Sequence, residues 1–427
     1  MMPHLPILLL QIGVIIIAAR AVGWVFKRIN QPQVMGEMVA GILLGPSVFG
    51  WLAPGLSASL FPPESLGFLN SLSQIGLVLF MFLVGLELNP QMLEGRKRMA
   101  LLTSHVSITL PFFLGSLLAL YLYPRLSDDS VNFTHFALFL GTAMSITAFP
   151  VLARILSERD MLRTQIGAVA IACAAVDDVS AWCILAGVVL VVRATGTASP
   201  FWLTLLGSAV YTAVMLVVVR VLLRGFERVY RERGQITQNV LALILLLVLG
   251  SAWVTEWLGL HALFGAFLIG AIMPKDDGFV GGLSEKLRDL TVVLLLPLFF
   301  AFTGLRTRVG LLSGTGMWLY CLLIIAVAIA GKLGGSMLSA KLTGMSWREA
   351  GALGILMNTR GLMELVVLNI GLDIQVISPA MFTIMVLMAL TTTFMTTPLL
   401  AWVYPAHLYR QETIITEVPM LARKKAI

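Results

Sequence analysis

Val34–Pro46 reads VMGEMVAGILLGP and Leu263–Pro274 reads LFGAFLIGAIMP, two apolar strings with the same rhythm of small residues and the same closing proline. A second pair follows in the same order, FMFLVGLEL at Phe80–Leu88 and FFAFTGLRT at Phe299–Thr307. Each string and its mate are seven apolar segments apart. An odd number of crossings turns the second copy over, so the strings mark an inverted-topology repeat. Repeats of this kind place a binding site near the membrane midplane, built from interrupted helices.

The rest of the chain fits that frame. Its 427 residues are 58% hydrophobic and 12% charged, with mean hydropathy +0.93; soluble domains carry roughly 25% charge. About 20 helical residues cross the hydrocarbon core, and runs of that length recur from residue 5 to residue 404, leaving no room for a soluble domain. The two-residue alternation of a membrane barrel is absent. The expected class is therefore all-α, a polytopic membrane protein with about thirteen spans. These lie near 5–27, 34–50, 67–88, 99–123, 132–156, 165–192, 201–224, 236–258, 261–274, 289–305, 314–340, 347–371 and 379–403. Spans 1 to 6 repeat as spans 8 to 13, with span 7 as the link. Span 1 lacks a small-residue cleavage site, so it is expected to be a span and not a removed signal.

Basic residues orient the chain, because cytoplasmic loops hold the excess of Lys and Arg. One set of alternate loops carries 22 of the 29: Lys27 and Arg28, Arg96 to Arg98, Arg154, Arg159 and Arg163, the arginines from Arg220 to Arg233, Lys275 to Arg288, Lys341 and Arg348, and the tail. The other set holds Arg125, Arg193, Arg306 and Arg308. The N-terminus is thus expected outside and the C-terminus inside a bacterial-type inner (plasma) membrane. Topology also accounts for the net charge of +7 without a nucleic-acid partner. Cys173, Cys183 and Cys321 fall within spans, without metal-ligand spacing, and read as small core residues.

A charge at the bilayer centre costs at least about 2.5–3.5 kcal/mol, so intramembrane ionisable residues are functional candidates. Glu37, His105, Asp177, Asp178, Lys332, Arg360 and Glu364 qualify by position, although Glu37 and His105 stand where packing residues are common. Asp177 and Asp178, in AAVDDVSAW midway along span 6, are about 100° apart around the helix. One can face an ion cavity while the other meets a neighbour. A carboxylate there takes a proton or a small hard cation, and exchange requires that competition; a structural hydrogen-bonded pair is the alternative. Lys332, in IAGKLGGS of span 11, is the natural partner of one aspartate, as part of the chemistry or only as a counter-charge.

Span 5 contains SITAFPVLARIL (Ser145–Leu156). Pro150 removes a backbone bond at mid-span, behind the hydroxyls of Ser145 and Thr147, either kinking the helix or freeing carbonyls that can ligate a cation. In its mate, span 12, MNTRGLMELVVLNIG (Met357–Gly371) puts Asn358, Thr359, Arg360 and Gly361 at the same depth. A break bares carbonyls at one half-helix end and N–H groups at the other. Arg360 and Glu364 can neutralise these ends, or pair with each other at i,i+4.

Five strings together resemble the monovalent cation:proton antiporter superfamily, in its second family and cation/H+ exchanger branch: QPQVMGEMVAGILLGPSVFG (Gln31–Gly50), FLVGLEL (Phe82–Leu88), TAFPVLARIL (Thr147–Leu156), AAVDD (Ala174–Asp178) and MNTRGLMELVVLNIGL (Met357–Leu372). The resemblance implies a sodium/hydrogen exchanger fold. Residues 5–88 and 236–305 would form a dimer-interface domain, residues 99–192 and 314–403 an ion-transport core, 201–224 a linker helix, and 404–427 a short cytoplasmic tail. Discontinuous spans 5 and 12 would cross at their unwound middles. Asp178 would be the main cation and proton carboxylate, holding an alkali cation, with Asp177 paired to Lys332 and Thr147 and Ser145 nearby. Members with this aspartate pair tend to be electrogenic.

The resulting expectation is a homodimeric antiporter, not an enzyme, exchanging Na+ or K+ for H+ by alternating access, without a cofactor. An organic-anion/sodium symporter of the same architecture suits a buried aspartate pair less well. An intramembrane aspartyl protease needs carboxylates from separate helices and a GxGD sequence, and neither is present. Nothing resembles the carbonyl-lined filter of a channel. Hydroxyls, carbonyls and one carboxylate suit Na+, K+ and Li+ alike.

Overall fold

Uniform apolarity leaves backbone polar groups no partners but their own helix. The structure, a computed structural model describing residues 4–87, 97–128, 131–159, 161, 164–194, 201–405 and 408, is accordingly helical, with no strand among the described residues. The elements are α1 (His4–Arg28), α2 (Gln33–Leu44), α3 (Phe49–Leu52), α4 (Pro54–Leu60), α5 (Pro63–Glu87), α6 (Lys97–Leu126), α7 (Phe133–Ser145), α8 (Phe149–Glu158), α9 (Gln165–Ala194) and α10 (Phe201–Val214). They continue with α11 (Arg220–Arg233), α12 (Gln238–Trp257), α13 (Ala262–Ile272), α14 (Asp277–Leu290), α15 (Leu296–Arg306), α16 (Thr315–Ile329), α17 (Gly335–Leu342), α18 (Trp347–Met357), α19 (Leu362–Asp373) and α20 (Pro379–Val403). Single π turns join α10 to α11, α14 to α15, and α16 to α17.

Among the described residues, eleven helical stretches are long and apolar enough to cross a membrane, and the bent pair α18 and α19 makes a twelfth. The segment expected at 261–274 is helical only over the 11 residues of α13, about 16 Å of rise. Span 2 is matched by Gln33–Leu52, although α2 itself ends at Leu44, while spans 7 and 10 run on, as Leu206–Arg233 and Gly278–Leu311. Arg96, Arg163 and residues 409–427, which carry part of the inside charge, lie outside the described residues, as do the side chains of Lys97, Arg98 and Arg193. Cys173 and Cys321 are buried, whereas Cys183 is exposed, contrary to its reading as a core residue.

The chain forms two compact units. The first comprises Met1–Val25, Gly36–Asn89 and Leu185–Val309. Its peripheral helices show apolar faces: only 17% of the apolar window of Leu5–Arg28 and 11% of that of Leu206–Arg233 are buried. Surfaces of that kind are fit for lipid. Aligned on their shared glycines, the two repeated strings set Gly41 against Gly270 and Gly85 against Gly304. Within this unit Gly41 packs on Gly304, and Gly270 packs on Gly85. A Cβ on Gly304 would stand 2.0 Å from the Gly41 carbonyl carbon, and one on Gly270 would stand 2.2 Å from Phe82 O. Equivalent glycines thus make equivalent contacts, with backbones close enough to exclude any side chain.

Lys275 closes the ends of α5 and α13. Its ammonium donates to Gly85 O and Leu86 O at 2.9 Å and to Gly270 O at 3.0 Å, where helix dipoles favour a cation. Burial pushes it down to about 8.

The second unit comprises Phe26–Met35, Pro90–Ile184 and Gly310–Ile427. Its centre holds Phe133–Glu158, with 83% of its apolar window inside, and residues 350–371, which are buried throughout. Asn132 caps α7, Ser346 and Glu349 form a capping box on α18, and Ser378 with Pro379 starts α20. These starts fix where the two broken helices begin.

Candidate ion-binding site

The first break lies between α7 and α8, where Ile146 and Ala148 are extended. Pro150 occupies the first turn of α8, where its missing N–H costs nothing. The second break, residues 358–361, turns α19 by 43° from α18. Gly361 has φ +157° and ψ −129° there, and a Cβ would meet Val151 Cγ2 at 2.8 Å. Both breaks carry out what Pro150 and Gly361 made legible in the sequence.

The two breaks meet. Ala148 N–H donates to Thr359 O at 2.9 Å, and the Thr147 hydroxyl lies 3.1 Å from Met357 O. From α20, the Thr393 hydroxyl donates to Arg360 O at 2.7 Å and accepts from Arg360 N–H at 2.9 Å. The unwound backbone is thereby satisfied without a helix.

Two cations cap the bare C-terminal end of α7. Arg360 donates to Ala143 O at 2.9 Å and Met144 O at 2.6 Å, and also pairs with Glu364 at 2.9 Å. Both roles left open for Arg360 are therefore filled at once, while Glu364 sits in the first turn of α19, favoured there by the helix dipole. Lys332 donates to Ser145 O at 2.5 Å, Ser107 O at 2.9 Å and Asp177 Oδ2 at 2.8 Å, which uses all three of its protons. It sits at the centre of the π turn Ala330–Gly334; interruptions of that type recur at functional sites.

The aspartates differ sharply. Asp177 receives Ser104, Ser107 at 2.8 Å, Thr147 at 2.8 Å and Lys332. Asp178 is equally buried, at 0% exposure, yet neither of its oxygens has a hydrogen-bond partner. The N–H of Phe149, first residue of α8, faces it electrostatically. An uncompensated buried carboxylate is costly, and a bound proton or cation removes the cost. Asn358 Oδ1, in the second break, is also buried without a partner.

The structure thus brings together Asp177, Asp178, Thr147, Lys332, Arg360 and Glu364. The Ser145 hydroxyl turns back to Thr142 O at 2.7 Å, and only its carbonyl enters the site. His105 is exposed and bonds within its own helix, while Glu37 lies 3.8 Å from Arg20 in the first unit. Ser104 and Ser107 were not singled out in the sequence, although their i,i+3 spacing within an apolar span was a usable signal. No group of three His, Cys, Asp or Glu side chains able to hold a metal occurs among the described residues.

Replacing Arg360 by Met is expected to destabilise the protein by about 3–5 kcal/mol, the cost of leaving one buried charge without its partner. Thermal unfolding in detergent would register the loss. Lys should not restore stability, because one ammonium cannot span Ala143 O, Met144 O and Glu364 as the guanidinium fork does.

Known proteins resemble this chain in sequence and in fold. Residues 14–403 match the family described as sodium/hydrogen exchanger, transmembrane. The Na(+)/H(+) antiporter NhaS4 of Synechocystis sp. is 47% identical over 401 residues, covering 94% of this chain and 98% of that protein. The K(+)/H(+) antiporter 1 of Saccharomyces cerevisiae is 34% identical over 408 residues, and there the match spans about half of the relative (94% of this chain, 47% of that protein). The solved structure of the sodium proton antiporter MjNhaP1 from Methanocaldococcus jannaschii superposes with a TM-score of 0.68 at 15% identity, covering 95% of this chain and 98% of that one. The chain therefore belongs to the sodium/hydrogen exchanger family of transmembrane cation:proton antiporters.

Proposed function

We propose that this protein exchanges Na+ or K+ for H+, with Asp178 carrying either the cation or the proton. One observation carries the reading: of two adjacent buried aspartates, Asp177 has four donors in bonding geometry, whereas the Asp178 oxygens lack a partner at that range and are faced by the Phe149 N–H. The names of the relatives, Na(+)/H(+) and K(+)/H(+) antiporters, agree with a monovalent cation. Asp177 with Lys332 is internally neutral, so the net negative charge that crosses with the empty site resides on Asp178. A bound cation or proton removes it, and the doubly empty carrier is then the form least able to cross an apolar barrier.

In this reading the second unit is the carrier and the first the scaffold, through which two chains form a homodimer. Alternating access moves Asp178 between the two faces of a bacterial plasma membrane, with the N-terminus outside and the C-terminus inside. The matched glycine contacts support an inverted repeat, the symmetry such a carrier needs. Exchange is electrogenic because Lys332, paired with Asp177, also releases its proton when the cation binds, so that two protons move for each cation.

Purified protein in proteoliposomes with an imposed pH gradient should dissipate it on addition of NaCl or KCl, faster when the membrane potential favours net charge movement. A gradient indifferent to every alkali chloride would overturn the proposal.

A further inference from the structure

α6 and the continuous helix α16 and α17 run antiparallel. Lys332 Nζ meets Ser107 O at 2.9 Å, and Ser339 Oγ meets Thr103 Oγ1 at 3.5 Å. Moving from 332 to 339 on one helix therefore moves from 107 to 103 on the other. Ser336 lies between these two levels, one turn beyond Lys332. Thr103, Ser104, Ser107 and Ser336 are fully buried, and Ser339 is 5% exposed.

Ser336 Oγ has no hydrogen-bond partner. Buried hydroxyls on helices elsewhere in this unit bond back to the preceding turn, as Thr392 does to Met388 O and Thr142 to Leu138 O. The π turn directly before Ser336 alters the carbonyl register that would serve it. Each unsatisfied buried group calls for a reason, and this one sits in a row of hydroxyls that begins on Asp177 through Ser104 and Ser107.

The geometry points to a hydroxyl lane, Ser107, Ser104, Ser336, Ser339 and Thr103, that carries protons between the aspartate site and the end of the unit where α6 begins and α17 ends. The inference rests on the exchange reading. A hydroxyl accepts a proton on a lone pair while releasing its own to the next oxygen, so each hop breaks one O–H bond and forms another. Nothing is oxidised or reduced. A water at the level of Ser336 supplies the remaining oxygen, and the unpartnered Ser336 Oγ is its anchor. The cation has its own place, at Asp178 beside the crossed breaks, so proton and cation need not share the whole route.

Ser336→Ala separates this role from a structural one. Ser336 Oγ makes no bond to the protein, so its removal costs at most the bond to the water at its level, and the thermal midpoint of the purified variant should change little. In proteoliposomes its alkali-cation-driven proton flux should fall by roughly tenfold or more, the scale of a lost proton relay, with unchanged apparent cation affinity and a larger H2O/D2O rate ratio. Ser336→Thr, which keeps the hydroxyl, should recover most of the flux. Wild-type flux with a wild-type isotope ratio in Ser336→Ala would overturn the lane, as would a loss of flux that merely follows a lowered midpoint. If wild-type protein itself fails to exchange, the exchange reading falls and the lane with it.

Discussion

Asp178→Asn should abolish cation-dependent proton movement while leaving the protein folded, and more stable than the wild type. The side chains are nearly isosteric, and the amide oxygen can still face the Phe149 N–H, so little hydrogen bonding is lost. What disappears is a negative charge buried without a partner, so the thermal midpoint should rise. The functional loss is large for the same reason. A cation about 3 Å from a carboxylate interacts by roughly 5 kcal/mol at an effective dielectric near 20. That is more than three decades of affinity at about 1.4 kcal/mol each, and an amide cannot carry the proton at all. Proton flux in vesicles and unfolding in detergent, on one preparation, test both signs. A variant that is stabilised yet still exchanges would remove Asp178 from the mechanism.

Lys332→Ala should fail in the opposite sense, losing stability as well as altering transport. It leaves the Ser107 and Ser145 carbonyls without their shared donor and strips Asp177 of its counter-charge. Breaking a buried pair from one side costs about 3–5 kcal/mol. The three hydroxyls of Ser104, Ser107 and Thr147 still hold the Asp177 carboxylate in place. Folding should therefore persist at reduced stability, with two net negative charges in the site in place of one. The proton that Lys332 would carry is then lost, so the charge moved per cation must change, and the ratio of electrical current to cation flux in supported membranes measures it. An unchanged ratio would reduce Lys332 to a structural counter-charge.

Much of this was legible in the residues, for identifiable reasons. Hydropathy located the spans because lipid leaves the backbone no alternative to the helix. It located their ends less well. α14 carries Ser284, Glu285, Lys286 and Arg288 yet leads without interruption into α15, and charge had set the expected start of that span near residue 289. The breaks were visible because Pro150 and Gly361 constrain the backbone locally, and the charged residues of the site because ionisable groups inside a span are rare. Hydroxyls are less informative, since a Ser or Thr inside a span commonly bonds its own preceding turn. Ser104 and Ser107 differ only in facing Asp177, a fact of tertiary packing. The π turn under Lys332 was likewise out of reach, because GKLGG permits it without requiring it.

The account turns on competition between a proton and an alkali cation for one carboxylate. Adding NaCl or KCl to purified protein in weak buffer, and following pH, reads that competition without a membrane. Wild-type protein should release protons saturably as the cation binds, and Asp178→Asn should release none. Cation binding without proton release, or equal release from Asp178→Asn, would contradict it.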